Sequence, residues 1–320
     1  MLPEEFEREI LTCVSPRLAG LLRRAVPALP GPLEEIRIRQ ERPLQLVYPG
    51  GDAFVAPDGR LTGDPGRAVR PDAEDLQRTF QLMAKGSVYA WEDEVRGGFL
   101  TLEGGHRVGL CGRAVTEAGR IRTLKQVASL NIRIAREVPG AADGLLPHLV
   151  RGGRFLSTLL VSPPQAGKTT LLRDLVRQLS IGVPRLGLRG MKVALVDERS
   201  EVAGCVRGVP QRDVGPRTDV LDGCPKAEGL MLMIRALSPQ VVAADEIGRP
   251  EDATAVMEAL HAGVAVLATA HGSGLADVRR RPALAELLKA GAFERAVLLG
   301  RSRGPGTVEA ITDLAREVVA

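Results

Sequence analysis

The order of apolar and polar positions divides the chain into two textures. Between residues 4 and 26, Phe6, Ile10, Leu11, Leu18, Leu21 and Leu22 recur at roughly helical spacing, which predicts a helix broken at Pro16. Leu33-Glu-Glu-Ile-Arg-Ile-Arg39 alternates as a half-buried strand does, and Leu44 to Tyr48 predicts a second short strand ended by Pro49, Gly50 and Gly51. Residues 52–72, rich in Gly, Pro and Asp, read as loop or hairpin. Asp72 is placed to cap a helix running to Lys85, with Gly86 as its stop. Gly98 to Leu102 and Arg107 to Val115 predict a hairpin turning at Glu103, Gly104 and Gly105, and Ser129 to Ile134 alternates again. The expectation over residues 1–148 is an α+β domain.

Pro139, Gly140, Gly144, Pro147, Gly152 and Gly153 cluster over residues 138–153 and mark a boundary. From there the pattern changes to apolar strands alternating with loops and helices. Phe155 to Val161, Lys192 to Val196, Pro239 to Ala244 and Val264 to Thr269 are the strands, and Leu171 to Leu179 is a helix. Such alternation predicts a parallel sheet with crossover helices over residues 149–320.

Composition changes this picture little. The chain of 320 residues is long enough for two domains with real cores. Aromatics make up 3%, so those cores must rest on Leu, Val, Ala and Ile. The net charge of +4 is mildly basic and does not by itself imply nucleic acid, because a basic stripe matters more than a sum. Six of the 43 basic residues are Lys and the rest are Arg. Cys13, Cys111, Cys205 and Cys224 show no CxxC spacing, so neither a zinc site nor a redox pair is expected, and scattered thiols suit a reducing cytosol. The acidic start lacks the pattern of a signal peptide, and no stretch reaches about 18 consecutive apolar residues, so membrane association is expected only through partners.

The sharpest chemistry follows the strand at Phe155 to Val161. Ser162, Pro163, Pro164, Gln165, Ala166, Gly167, Lys168, Thr169 and Thr170 stand between that strand and a helix. A loop so placed turns successive backbone N–H groups toward phosphate oxygens and adds the positive end of the helix dipole. Lys168 is then expected to reach the β- and γ-phosphates of ATP, and the Thr169 hydroxyl to join a Mg²⁺ shell. The first position of the phosphate-loop pattern holds Ser162 in place of Gly.

The strand Pro239 to Ala244 ends in Asp245 and Glu246, the form that holds Mg²⁺ through water with the first carboxylate and orients or deprotonates water with the second. Two further strands end at Asp197, Glu198 and Arg199, and at Ala270, His271 and Gly272. Ligands sit at strand carboxyl ends in open α/β sheets, so Glu198 and His271 join Lys168 and Glu246 on one rim as candidate catalytic groups. Hydrolysis also calls for a cation, often from a neighbouring subunit, and Arg133, Arg136, Arg207, Arg212 and Arg217 are the candidates.

These residues together resemble one family, the stage III sporulation protein AA family. The resemblance lies in the run from Ser162 to Asp174, in Val196 to Ala203, in Asp213 to Asp222, in Asp245 to Gly248 and in Ala268 to Gly272. It extends into the first domain through Glu35 to Arg39, Gly105 to Gly109 and Ser129 to Ile134. In that family Ser-Pro-Pro commonly opens the phosphate loop, whereas Gln165-Ala166 stands where a smaller pair is usual. The family is in turn similar to the ATPases of type II and type IV secretion and of type IV pili. The resemblance implies a hexameric ring with ATP between subunits, Asp197-Glu198 as an acidic box, and a place at the cytoplasmic face of a membrane channel made during endospore formation.

The fold class expected is α/β: a RecA-like P-loop NTPase domain with a parallel-rich sheet, preceded by the smaller α+β domain. An ATPase bound to single-stranded nucleic acid is the alternative, with Arg37, Arg39, Arg133 and Arg136 lining a groove. Single-strand binders stack bases on aromatics, and the first domain offers only Phe6, Tyr48, Phe54, Phe80, Tyr89, Trp91 and Phe99. A small-molecule kinase fits the long segment 199–226 poorly, and a non-hydrolysing scaffold fits Glu246 poorly.

Overall fold

Strand alternation and helix caps account for both halves of the computed structural model, which describes residues 2–84, 98–117 and 119–316. The predicted helix end at Lys85 and Gly86, and the aromatics Tyr89 and Trp91, lie outside the described residues. The chain forms two compact units, residues 1–136 and 137–320.

In the first unit, strands β1 (Glu35–Arg39), β2 (Gln45–Tyr48), β3 (Gly51–Val55), β4 (Leu61–Thr62), β5 (Phe99–Thr101), β6 (Arg107–Glu117) and β7 (Arg120–Arg133) form one antiparallel sheet. Its order is β4-β3-β2-β1-β7-β6-β5. Alternation sets the register: Ile36 faces Ile132 and Ile38 faces Leu130, all four fully buried. β7 is longer than the predicted Ser129 to Ile134. Its first half pairs with the largely exposed outer end of β6, so no buried face imposed a hydrophobic alternation there.

The predicted helix of residues 4–26 is two helices, α1 (Glu4–Glu9) and α2 (Pro16–Ala25), with a 3₁₀ turn at Leu11–Cys13 between them. Pro16 opens the second helix, where its missing N–H leaves no bond unmade, and Ser15 caps it. Ser15 Oγ also donates to the buried Asp75 at 2.8 Å, and its backbone N–H to Thr79 Oγ1 at 3.0 Å. Both partners lie on α3 (Ala73–Met83), whose start is fixed by a capping box between Asp72 and Asp75. Leu18, Leu22, Leu76 and Met83 from these helices join Ile36 and Ile132 in one core.

In the second unit, strands β8 (Thr158–Ser162), β9 (Val193–Asp197), β10 (Thr218–Asp222), β11 (Val241–Ala244), β12 (Ala265–His271), β13 (Arg295–Gly300) and β14 (Thr307–Asp313) lie in the order β10-β9-β11-β12-β8-β13-β14. All neighbours are parallel except the edge pair β13 and β14. The central strands bury both faces, which is why they read as unbroken apolar runs. Leu160, Leu195, Ala243 and Leu267 meet α4 (Lys168–Ile181) on one side. Leu159, Val196, Val242 and Ala268 meet α5 (Lys226–Leu237), α6 (Pro250–His261) and α8 (Pro282–Lys289) on the other, where α7 (Leu275–Arg279) adds Val278. The first predicted strand needs correction. Phe155 belongs to a two-residue strand paired with Val150–Arg151, and β8 begins only at Thr158. The apolar run conceals this corner because Phe155, Leu156 and the whole of β8 are buried.

Residues 138–149 lie within the second unit, and Asp174 of α4 holds them there. Its buried carboxylate accepts N–H bonds from Gly140 at 3.1 Å and Ala142 at 2.8 Å, and is bonded by Arg177 and Gln178. Burial pushes this carboxyl up, but the Ala142 N–H, Arg177, Gln178 and the Gly140 N–H together hold it below its ordinary value. A lowered acid contributes stability above its unfolded pKa of about 4 and loses it as the pH falls through the folded value. The melting temperature of the full chain is therefore expected to fall on acidification below about pH 4, and less steeply in Asp174→Asn. An identical acid limb in that variant would contradict this role.

Candidate functional site

Parallel register brings the predicted residues to one edge of the second sheet. Ser162 at the end of β8 lies beside His271 at the end of β12, and Asp197 at the end of β9 lies beside Asp222. Val196 pairs with Ala244, so Asp245 and Glu246 leave β11 at the same level.

The loop after β8 turns through two left-handed residues, Gln165 with φ of 59° and Gly167 with φ of 82°. Gly167 needs its missing side chain, since a Cβ there would lie 2.7 Å from the backbone N of Gly306. Ser162 is outside the left-handed region, so that position does not require Gly. Its Oγ donates to the Pro163 carbonyl and its own carbonyl accepts the Gly272 N–H at 3.0 Å. Pro164 and Gln165 are exposed, Ala166 is buried, and Thr170 is half-buried in the first turn of α4.

Lys168 opens α4 with its ammonium buried and donates to Glu246 Oε1 at 2.9 Å. Thr169 Oγ1 donates to Asp245 Oδ2 at 2.9 Å, and Thr269 Oγ1 donates to the other oxygen of Asp245. Thr269, which the sequence reading did not single out, also accepts the Glu246 N–H at 2.8 Å. Glu246 is left-handed, with φ of 55°, and its carboxylate meets His271 Nε2 at 2.8 Å and Arg199 Nη1 at 3.4 Å. Strained backbone of this kind collects where function fixes a side chain. Burial pushes the Glu246 carboxyl up, but Lys168, with help from His271 and Arg199, holds it below its ordinary value.

Asp197 and Glu198 differ in role although adjacent. Asp197 is 2% exposed and accepts the N–H groups of Glu201, Val202 and Ala203 at 2.9, 3.0 and 2.8 Å. Burial outweighs those bonds and raises its carboxyl above the ordinary value, with Asp245 adding to the effect. It anchors the turn that presents Glu198 and Arg199. Glu198 is bound by the buried ammonium of Lys226. Asp197, Glu198, Arg199, Lys226, Asp245 and Glu246 line one cavity.

Lys226 was missed by sequence reasoning. It is the first residue of α5, where the helix dipole disfavours a cation, and it is buried besides. Glu198 offsets both costs, and a lysine directly after Pro225 at a helix start was the available signal. Lys226→Met is expected to destabilise the chain by on the order of 3 kcal/mol in urea unfolding, because it strands a half-buried carboxylate. The double variant with Glu198→Gln is expected to recover much of that loss, and no recovery would argue against the pair.

Of the candidate arginines, Arg217 is engaged at the opposite edge of the sheet. It precedes β10 and donates to the Ser180 carbonyl at 2.8 Å, closing the end of α4. Arg133 lies 3.8 Å from Glu35, and Arg136 donates to the Leu33 carbonyl, both in the first unit. Arg207 is left-handed and exposed, and Arg212 is half-buried, both between β9 and β10.

The donor set fits a magnesium nucleotide. Mg²⁺ is usually held by one or two protein oxygens together with substrate phosphates, not by a protein cage. Among the described residues no group of three or more His, Cys, Asp or Glu could hold a metal alone, whereas Thr169 and Asp245 supply hard oxygens side by side. His271 Nδ1 is buried with no hydrogen-bond partner. Among the described residues no helix is long and apolar enough to cross a membrane.

Comparison with known proteins agrees with this architecture. The X-ray structure of the Legionella pneumophila ATPase DotB superposes with a TM-score of 0.52 at 14% identity, covering 83% of this chain and 71% of that one. The crystal structure of the pilus retraction motor PilT with bound ADP gives a TM-score of 0.54 at 12% identity, covering 91% and 77%. These likenesses establish the fold, that of P-loop ATPases. In sequence, stage III sporulation protein AA of Bacillus subtilis (strain 168) is 48% identical over 281 residues, 88% of this chain and 87% of that protein. The family model for sporulation stage III, protein AA matches residues 4–319, and the chain belongs to that family.

Proposed function

We propose that the chain is a Mg²⁺-dependent ATP hydrolase that works as a hexameric ring and powers a secretion-like membrane channel complex during endospore formation. The observation that carries the hydrolase reading is the mutual pairing of Lys168 with Glu246 and Thr169 with Asp245 at the carboxyl edge of a parallel sheet. In this reading, backbone N–H groups of residues 165–169 and the Lys168 ammonium hold the phosphates. Thr169 and Asp245 would hold Mg²⁺, and the ion would supply charge neutralisation at the phosphates. Glu246 orients and deprotonates the attacking water, His271 steadies Glu246, and Glu198 with Lys226 shapes the far wall. Lys168 serves two anions in turn. When phosphate draws its ammonium away, Glu246 loses its strongest stabilising partner and becomes a better base.

Family membership supports the sporulation setting, and the fold shared with a pilus retraction motor that binds ADP supports a nucleotide-driven motor. The chain would then sit in the cytoplasm, against the inner face of the membrane through partner subunits. The nucleic-acid reading has less support. Arg37 and Arg133 both lie beside Glu35, and Arg39 donates to Gln45. The ring is tested by the oligomeric mass with and without a non-hydrolysable ATP analogue. A nucleotide-dependent hexamer is expected, and a monomer at all concentrations with the analogue bound would overturn it.

A further inference from the structure

The connection between β13 and β14, residues 301–306, closes over the phosphate loop. Arg301 Nη2 donates to the Gln165 carbonyl at 2.8 Å, to the Pro164 carbonyl at 3.2 Å and to Gln165 Oε1 at 3.1 Å. The Gly306 N–H donates to the Ala166 carbonyl at 2.9 Å. Three successive carbonyls, from Pro164 to Ala166, thus have their donors on this one connection.

The consequence follows from peptide geometry. In a trans peptide the C=O and the following N–H point in opposite directions, and no cis bond occurs among the described residues. Holding the carbonyls of Pro164, Gln165 and Ala166 toward the connection directs the N–H groups of Gln165, Ala166 and Gly167 away from it. Consecutive amides presented together form an anion cradle. The sequence makes this arrangement hard to keep, because Gln165 must stay left-handed, a region that side chains with a Cβ resist. Glycine there would need no restraint. Gln165 also supplies its own side-chain oxygen to the clasp.

We propose that Arg301 is a positioning residue that holds the phosphate loop in its phosphate-binding conformation and offsets the presence of Gln165 at a left-handed position. The proposal rests on the nucleotide reading given above. Arg301 acts through the loop backbone, so its loss falls on substrate affinity and not on the chemical step. Arg303, which follows two residues later and is exposed, is a natural control.

Three readouts on the full chain test this. In calorimetric titration with Mg-ADP, Arg301→Ala is expected to weaken binding about tenfold. Arg303→Ala is expected to leave it near wild type. The double variant Arg301→Ala/Gln165→Gly is expected to return to within about threefold of wild type, since glycine adopts the left-handed conformation unaided. In steady-state kinetics the same loss appears in KM, with little change in kcat. Wild-type affinity in Arg301→Ala, or no recovery in the double variant, overturns the proposal. Amide exchange gives a readout that needs no nucleotide: the Gly306 amide, bonded to the Ala166 carbonyl, should exchange faster in Arg301→Ala. If wild type binds no Mg-ADP, the nucleotide reading fails by itself, and unchanged exchange at Gly306 would still decide against the clasp.

Discussion

Lys168→Ala is expected to lower Mg²⁺-dependent ATP hydrolysis by about 100-fold or more, the scale seen when one preorganised charge-stabilising group is removed from an active site. The geometry explains why no neighbour can substitute. Lys168 is buried at the start of α4, within 2.9 Å of Glu246, while Arg199 is largely exposed and 3.4 Å away. The variant should remain folded, because Glu246 keeps His271 and Arg199 as partners. Glu246→Gln is expected to lose turnover to a similar degree but to retain the nucleotide, since it removes the base and leaves Lys168 and Thr169 in place. Phosphate release at saturating ATP measures the first effect. Turnover within about threefold of wild type in either variant would remove that residue from the mechanism. The pH dependence has a definite sign. With its carboxyl held low in the free protein, Glu246 stays ionised through neutral pH, so the acid limb of kcat/KM attributable to it lies below the ordinary carboxylate value of about 4.3.

Asp197→Ala is expected to cost on the order of 3 to 5 kcal/mol of stability, more than a typical point substitution. Three backbone N–H groups in a buried turn would lose their acceptor together, and each unsatisfied donor costs about 1 to 3 kcal/mol before relaxation. Asn keeps one carbonyl oxygen and should cost less. The turn also contains Ser200 in the left-handed region, so releasing it should free Glu198 and Arg199 from the cavity wall. Urea unfolding monitored with the nucleotide site empty separates this from catalysis. A loss below about 1 kcal/mol would mean that the turn stands without its anchor.

How much of this was legible depended on what each residue contacts. The strands that end at Ser162, Asp197, Ala244 and His271 are buried on both faces, so their sequences announce themselves as apolar runs. β10 and β14 are edge strands of mostly half-buried residues, and Thr-Asp-Val-Leu-Asp carries no such signal. β13 holds an apolar run, Ala296 to Leu299, but a short run alone does not separate strand from helix. The site divides in the same way. Lys168, Thr169, Asp245 and Glu246 follow local strand-loop patterns and could be read from spacing. Lys226, Thr269 and Arg301 act across the fold, and their partners are fixed only by sheet order. Gln165 shows the limit most plainly: it reads as a defect in the loop until Arg301 is seen beside it.

Every role proposed for the second unit depends on a magnesium-nucleotide site at Lys168 and Thr169. Calorimetric titration of Mg-ATP into the Glu246→Gln variant tests it most directly, because binding is measured without turnover. One site per chain is expected, with weaker binding when Mg²⁺ is chelated and loss of binding when Lys168→Ala is added. No binding, or binding indifferent to Lys168, would contradict it.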